Sequence, residues 1–209
     1  MNRNMIERAR EATNAQLRKS NLALRKNLKR VIECSSDNEK VQERMDDYEA
    51  LVFEAESLKE MFDSMIIQGR RIFEVQFITV VLEQGHINMY PEEYKKKGKS
   101  IFLESKNIFF APAITIALHF PEIPQVVLRG RLKEGNEFFF PGVAAGIHSE
   151  AMIPLQTPDG TLTGALSFGS KEPQRFMEGY GPRFLDRLGR LVSLKMEVFR
   201  AEKMAAKAS

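Results

Sequence analysis

Three histidines, His86, His119 and His148, are the chain's only imidazoles, and no two stand at the three- or four-residue spacing that sets a pair of metal ligands on one helix face. A metal or haem centre is therefore not expected. Cys34 is the single cysteine, so neither an internal disulfide nor a redox cycle needing several thiols can be built from it. Gly98-Lys99-Ser100 imitates the end of a phosphate-binding loop, but the first glycine of that loop would fall at position 93, which is Glu93. No Gly-x-Gly-x-x-Gly run, His-Glu-x-x-His motif or Gly-x-Ser-x-Gly elbow occurs. No carboxylate pair is marked for acid–base work. The residues thus point to a non-catalytic chain, with no catalytic residue, metal ligand or cofactor assigned.

Binding is the chemistry that remains. Arg129 and Arg131, two apart on an extended strand, would share a face and could hold a carboxylate or phosphate between them. A solvated edge paired with Glu134 or Glu137 is the reading the sequence favours over that clamp. Phe138, Phe139 and Phe140 form an aromatic run that reads as core or as a ligand platform, while Glu150 and Met152 share a strand face opposite Ser149 and Ala151. The pocket candidates are accordingly Arg129, Arg131, Phe139, Glu150 and Met152. Arg175 reads as a brace for the turn before the final helix.

These residues need a sheet. Two alternating runs flank Pro158-Asp159-Gly160, and because Gly160 accepts the positive φ of a tight turn, residues 149–170 read as an antiparallel hairpin. Val75 to Leu82 is a second strand, rich in β-branched residues. Residues 83 to 100 are polar, with a short helix placed after Pro91, and residues 101 to 120 should break at Pro112. Gln125 to Leu132 reads as a strand turning at Glu134-Gly135-Asn136 into Glu137 to Phe140. A closing helix opens at Pro182, a favoured first helical residue, and should fray after Glu202.

Two long helices precede the sheet. Residues 4 to 33 repeat Leu17, Leu24 and Val31 every seven positions, and Ser36 with Glu39 spells a capping box for a second helix running to Gly69. That helix carries Val41, Tyr48, Ala55 and Phe62 at one heptad position and Leu51, Leu58 and Met65 at another. Residues 1 to 33 hold nine basic and three acidic side chains, a net of +6, whereas residues 37 to 60 hold three basic and nine acidic, a net of −6. Exposed ion pairs are weak singly, but such a pattern can select a partner, within the chain or in a second copy.

The fold class is α+β: an antiparallel sheet flanked by helices, with a coiled-coil-like N-terminal extension. Residues 1–69 form the extension, 70–203 the sheet domain and 204–209 a frayed tail. A net charge of +3 gives no global pull toward nucleic acid. The apolar runs Phe77 to Leu82 and Ile108 to Leu118 are too short to cross a bilayer. The N-terminus lacks the pattern of a secretory signal, and a cytoplasmic location is expected.

The hairpin residues Ser149, Ala151, Ile153, Pro154 and Leu155, with Gly164, Leu166, Gly169-Ser170, Pro173, Arg175-Phe176, Gly179 and Phe184-Leu185, resemble the bacterial GAF-like family called domain of unknown function 484. The resemblance spans most of residues 15 to 195. It implies a GAF-like fold, in which first and last helices pack on one side of the sheet, and dimerisation through helices 1–69 and 182–203. It implies no reaction. A sensory or regulatory module binding a small molecule or partner protein is the expected function. A ligand-free interaction scaffold is the alternative, and a small enzyme the third.

Overall fold

The computed structural model describes residues 19–20, 22, 25–27, 29, 39, 42–89, 107–177 and 182–208. The heptads of helix 4–33, Cys34, the Ser36 cap, the helix after Pro91, Gly98-Lys99-Ser100 and Gly179 lie outside the described residues. The chain divides into two compact units, residues 1–43 and 44–209. Described positions of the first, such as 25–27, are helical and exposed. The second holds everything that follows.

It opens with helical residues 44–54 (α1), followed after a break by α2, Leu58–Ile72. The sequence reads these as one helix. The interruption has a local cause: the Ser57 side chain accepts from the Glu60 N–H at 3.2 Å, and Glu60 Oε2 accepts from the Glu56 N–H at 2.9 Å. Ser57-Leu58-Lys59-Glu60 is thus a second capping signature, starting a new helix inside the heptad run.

The remaining elements are β1 (Phe77–Glu83), a 3-10 turn (Gln84–Met89), β2 (Ile108–Ala111), α3 (Ala113–Ala117), β3 (Val127–Arg129), β4 (Ser149–Gln156), β5 (Leu162–Ser170) and α4 (Pro182–Ala208). Pro112 separates β2 from α3, as its missing N–H requires. The strands form one sheet in the order β2-β1-β5-β4-β3. It is mixed rather than wholly antiparallel, because β1 and β2 run parallel while the other three pairs are antiparallel. The turn joining β4 to β5 is closed by Thr157 N–H donating to Thr161 O at 2.9 Å, with Gly160 at φ 87°.

Three sequence expectations change. Residues 137–140 form a turn, in which Asn136 O accepts from the N–H groups of Phe139 and Phe140, so they make no strand and β3 pairs with β4 instead. The strand expected over Gln125 to Leu132 shrinks to Val127–Arg129. Helix α4 extends through Ala208, past Glu202, where the sequence reading ends its regular part.

Alternation divides the sheet's side chains between two cores. Ile78, Val80, Leu82, Ala151, Ile153, Leu155, Leu166 and Phe168 face the helices, where they meet Tyr48, Leu58, Phe62, Met65, Leu188 and Val192. The heptad residues expected as a dimer seam from position 48 to 65 are thereby buried against their own sheet, and residues 44–69 belong to the compact unit rather than to an extension. Each fully buried Leu, Ile or Phe contributes about 1.5–3 kcal/mol, so this face dominates the unit's stability. Val81, Met152 and Ala165 face the other way, under Phe139, Phe140, Ala144 and Ile147. Arg175 donates to Phe73 O at 2.5 Å, tying the turn at 173–176 to the end of α2.

Helix α4 crosses β4 at Gly189, where an added Cβ would lie 2.6 Å from Ile153 Cγ2 and 3.0 Å from Pro154 O. In a free helix Gly189→Ala would gain about 1 kcal/mol. Overpacking against a backbone carbonyl outweighs that gain, so the variant should lose about 1–2 kcal/mol net. Urea midpoints would measure it, and an unchanged or raised midpoint would contradict the close crossing.

Candidate functional site

The sheet face away from the helices is apolar except for a few polar residues, and each polar group there must find a partner or bear the cost of burial. Glu150 is the extreme case. Its side chain has no exposed surface, yet it sits beside Met152 on β4. Glu150 Oε2 accepts from the Asn136 N–H at 2.8 Å, and Arg129 Nε, on the neighbouring strand, lies 3.2 Å from Oε1. The approach depends on Gly135, since a Cβ there would stand 3.1 Å from Oε2 and 2.9 Å from Ile147. Burial pushes the Glu150 carboxyl above its ordinary range, and the Asn136 N–H and Arg129 charge pull it partly back.

Asn136 extends the network. Its Oδ1 accepts from the Phe138 N–H at 3.0 Å, which turns its amide nitrogen toward His119 Nδ1 at 3.1 Å. An amide nitrogen can only donate, so Nδ1 accepts and the proton of a neutral His119 resides on Nε2. Burial first, and then the Arg129 charge, hold the His119 pKa below its usual value. The His119 ring stacks on Phe138 with centroids 4.5 Å apart.

Of the five pocket candidates, Arg129 and Glu150 meet directly. Phe139 and Met152 fill the core under the same face. Arg131 does not join them. The strand ends at Arg129, and Arg131 turns away at φ 54°, exposed, with its N–H donating to Pro173 O at 2.8 Å. The two arginines therefore form no clamp, and Arg129 takes Glu150 rather than Glu134 or Glu137 as its partner. His148 Nδ1 contacts Leu132 O at 3.3 Å. Among the described residues no group of three or more His, Cys, Asp or Glu could hold a metal ion.

Two of the cavities are lined by none of these five candidates. One, of about 570 Å³, opens where α2 ends and β1 begins, between Arg70, Phe77, Thr79, Asn107, Phe140 and Val143. Arg70 Nε is buried there without a hydrogen-bond partner. Thr79 Oγ1 donates to Phe139 O at 2.7 Å and so fixes the aromatic wall. The second, of about 530 Å³, surrounds His86. Neither Arg70 nor His86 belongs to a spaced motif, and only the fold gathers their neighbours.

Sheet order, long helices on one face and a largely apolar cover of loops and short helical turns on the other define a GAF-like fold. The chain belongs to the family described as protein of unknown function, DUF484, whose model matches residues 9–201. It is similar in fold to the free methionine-R-sulfoxide reductase from Neisseria meningitidis, at TM-score 0.50 and 15% identity over 78% of this chain and 91% of that one. It is similar also to the GAF domain from Acinetobacter phosphoenolpyruvate-protein phosphotransferase, at TM-score 0.50 and 12% identity over 78% and 96% of the two chains. A third similar structure is the A. aeolicus NLH2 GAF domain, at TM-score 0.50 and 9% identity over 77% and 98%. No curated protein matches the chain. One similar structure is an enzyme and two are GAF domains, so these likenesses give the fold and leave the activity to the site. Among the described residues no helix is long and apolar enough to cross a membrane.

The Glu150 pair has a signed consequence. Its carboxyl titrates higher folded than unfolded, so ionisation opposes folding above the folded pKa, and the penalty fades as pH falls through that value toward about 4.3. Glu150→Gln keeps the acceptor for Asn136 and should raise the melting temperature at pH 7, with the gain shrinking on acidification. Arg129→Ala should cost about 1–3 kcal/mol at pH 7 by stranding the carboxylate, and less in acid. Parallel melts of both variants across pH check the two signs.

Proposed function

We propose that this chain is a non-catalytic GAF-like sensory or regulatory module that binds a small anion, a carboxylate or phosphate, in the cavity at the α2–β1 junction. The observation that carries the reading is Arg70: a guanidinium whose buried Nε has no hydrogen-bond partner, lining a cavity of about 570 Å³ beside Thr79 and Asn107. Arginine matches carboxylate and phosphate geometry, and a volume of this size suits a metabolite. Arg70 stands in the last turn of α2, so an anion bound at the cover side of β1 would touch a helix packed on the other side. That contact is the route by which occupancy could favour one helix arrangement.

A scaffold reading draws support from the cover face itself. Phe139, Phe140, Ile147 and Met152 have at most 1% of their surface exposed, so the chain's own side chains already fill most of the space above the sheet.

The two readings separate in a thermal-shift titration with inorganic phosphate and with succinate, against chloride at equal ionic strength. Saturating probe at about a hundredfold its Kd should add about 2.7 kcal/mol, or a rise of about 5–10 °C. Arg70→Gln should abolish the rise. No shift with either probe, and no extra mass on the protein in native mass spectrometry, would favour the scaffold.

We further take the module to act as a dimer of two copies in the cytoplasm. With the 48–65 stripe used internally, the surface left for a partner is the outer face of the helices. It bears Phe53, Ile67, Leu194 and Val198, exposed by 43 to 68% of their surface. The opposed charges of residues 1–33 and 37–60 favour a second copy of this chain over an unrelated protein. Light scattering should give twice the protomer mass, and Leu194→Asp with Val198→Asp should halve it. A monomeric parent would end the dimer reading.

A further inference from the structure

His86 is 6% exposed, and neither ring nitrogen has a hydrogen-bond partner. A buried imidazole normally satisfies at least one nitrogen. Glu83 Oε2 lies 3.6 Å from Nδ1 and already accepts from the Gly85 N–H at 2.8 Å. The ring instead lines the cavity of about 530 Å³ bounded by the start of the 3-10 turn, the β4–β5 turn and the second half of α4.

The other walls of that cavity have a definite sign. Glu83 comes from β1, Asp159 from the β4–β5 turn, and Glu197 and Arg200 from α4. Arg200 Nη2 is held by Glu197 at 2.9 Å, which leaves Glu83 and Asp159 as negative charge without a compensating cation among the described residues of the cavity's walls. Hydrogen bonds from Thr157, and then from Thr161, hold the Asp159 pKa below its usual value, so it stays ionised. Ala113 and Leu162 supply an apolar flank. Among the described residues no set of three metal ligands is present, and carboxylates beside an imidazole nitrogen suit the several N–H donors of an organic cation.

We propose that this cavity binds a small organic cation, a primary ammonium on a short aliphatic chain, with His86 accepting one of its N–H bonds and Glu83 and Asp159 balancing its charge. An ammonium carries three donors and no acceptor, which suits an imidazole nitrogen flanked by carboxylates. The aliphatic part would lie along Ala113 and Leu162. Burial is the chief cause that lowers the His86 pKa, opposed by the charge and backbone carbonyl of Glu83 and by Glu197, and reinforced by Arg200. At neutral pH the ring is therefore neutral and able to accept. Below its pKa it carries a proton and repels the ligand, so affinity should fall as pH drops through that value. The site is independent of the anion cavity at Arg70.

The test is an NMR titration of the full chain with n-butylammonium, following the His86 ring resonance identified by its loss in His86→Gln. A saturable shift is expected with n-butylammonium and none with n-butanol, butyrate or sodium chloride at equal ionic strength. Glu83→Gln and Asp159→Asn should each weaken binding by about tenfold, the effect of removing one charge-assisted contact. Arg70→Gln should leave it unchanged. If His86→Gln does not fold, Asp159→Asn in the exposed turn carries the test, with its melting temperature as the folding control. An absent shift, a shift shared with butanol or sodium chloride, or affinity that rises on acidification would overturn the proposal.

Discussion

The burial of the β4–β5 hairpin on both faces is the constraint from which the rest follows. From Ser149 to Leu155 and from Thr163 to Ser170 every residue is buried, so the hairpin needs two separate covers. Helices supply one, and they must come close: at Gly189 the α4 backbone approaches β4 nearer than any side chain would allow, and at Gly69 a Cβ would stand 2.7 Å from Tyr48. The other cover is the irregular stretch between β3 and β4, whose aromatic side chains replace a second helical layer. A sheet so enclosed gains most of its stability from apolar area, and its buried polar groups are few: Glu150 Oε2 and Thr79 Oγ1 are hydrogen-bonded, whereas Ser167 Oγ is buried without a partner.

That constraint explains why the polar residues stand where they do. Glu150 and Thr79 share the cover face with Val81 and Met152, and each is held by backbone of the same cover segment, Asn136 N–H for one and Phe139 O for the other. These bonds fix the aromatic wall to the sheet as firmly as its packing does. Tyr48, on the helical side, is the contrasting case. Its hydroxyl is buried without a partner and its pKa is driven up by burial, so the ring's area is retained at the expense of one unsatisfied group.

The hairpin could be read from residues because alternation and an Asp-Gly turn are local signals, and Pro112 marked its own break for the same reason. Heptad periodicity from Tyr48 to Met65 correctly named a buried stripe. It could not name what buries it, since a seven-residue repeat looks alike whether the facing surface is a second helix or a sheet. Arg131 failed differently: two-residue spacing implies a shared face only while the strand lasts, and the chain leaves the strand after Arg129. Arg129 and Glu150 were both candidates, yet their pairing depends on β3 lying beside β4 in a register with Arg129 opposite Glu150, and no local pattern encodes it. His86 and Arg70 carried no spacing signal at all.

Both cavities share one architectural property: each has helix and strand in its wall. Arg70 ends α2 beside the first residues of β1, while Glu197 and Arg200 lie on α4 near the last residue of β1 and the turn that follows it. The helices can therefore report on either cavity without any change in the sheet, which is too tightly packed to deform by small steps. What a ligand can achieve is bounded by its preference for one helix position over another. A single charge-assisted contact made in one position and lost in the other is worth about 1.5–3 kcal/mol. That corresponds to a shift of roughly ten- to a hundredfold in the balance between positions, enough to reverse a modest bias and too little to unseat a helix whose apolar stripe is fully buried. On the proposed sensory reading, a ligand would therefore act through small sliding or tilting of helices that remain docked, and their outer faces are where a partner would sense it.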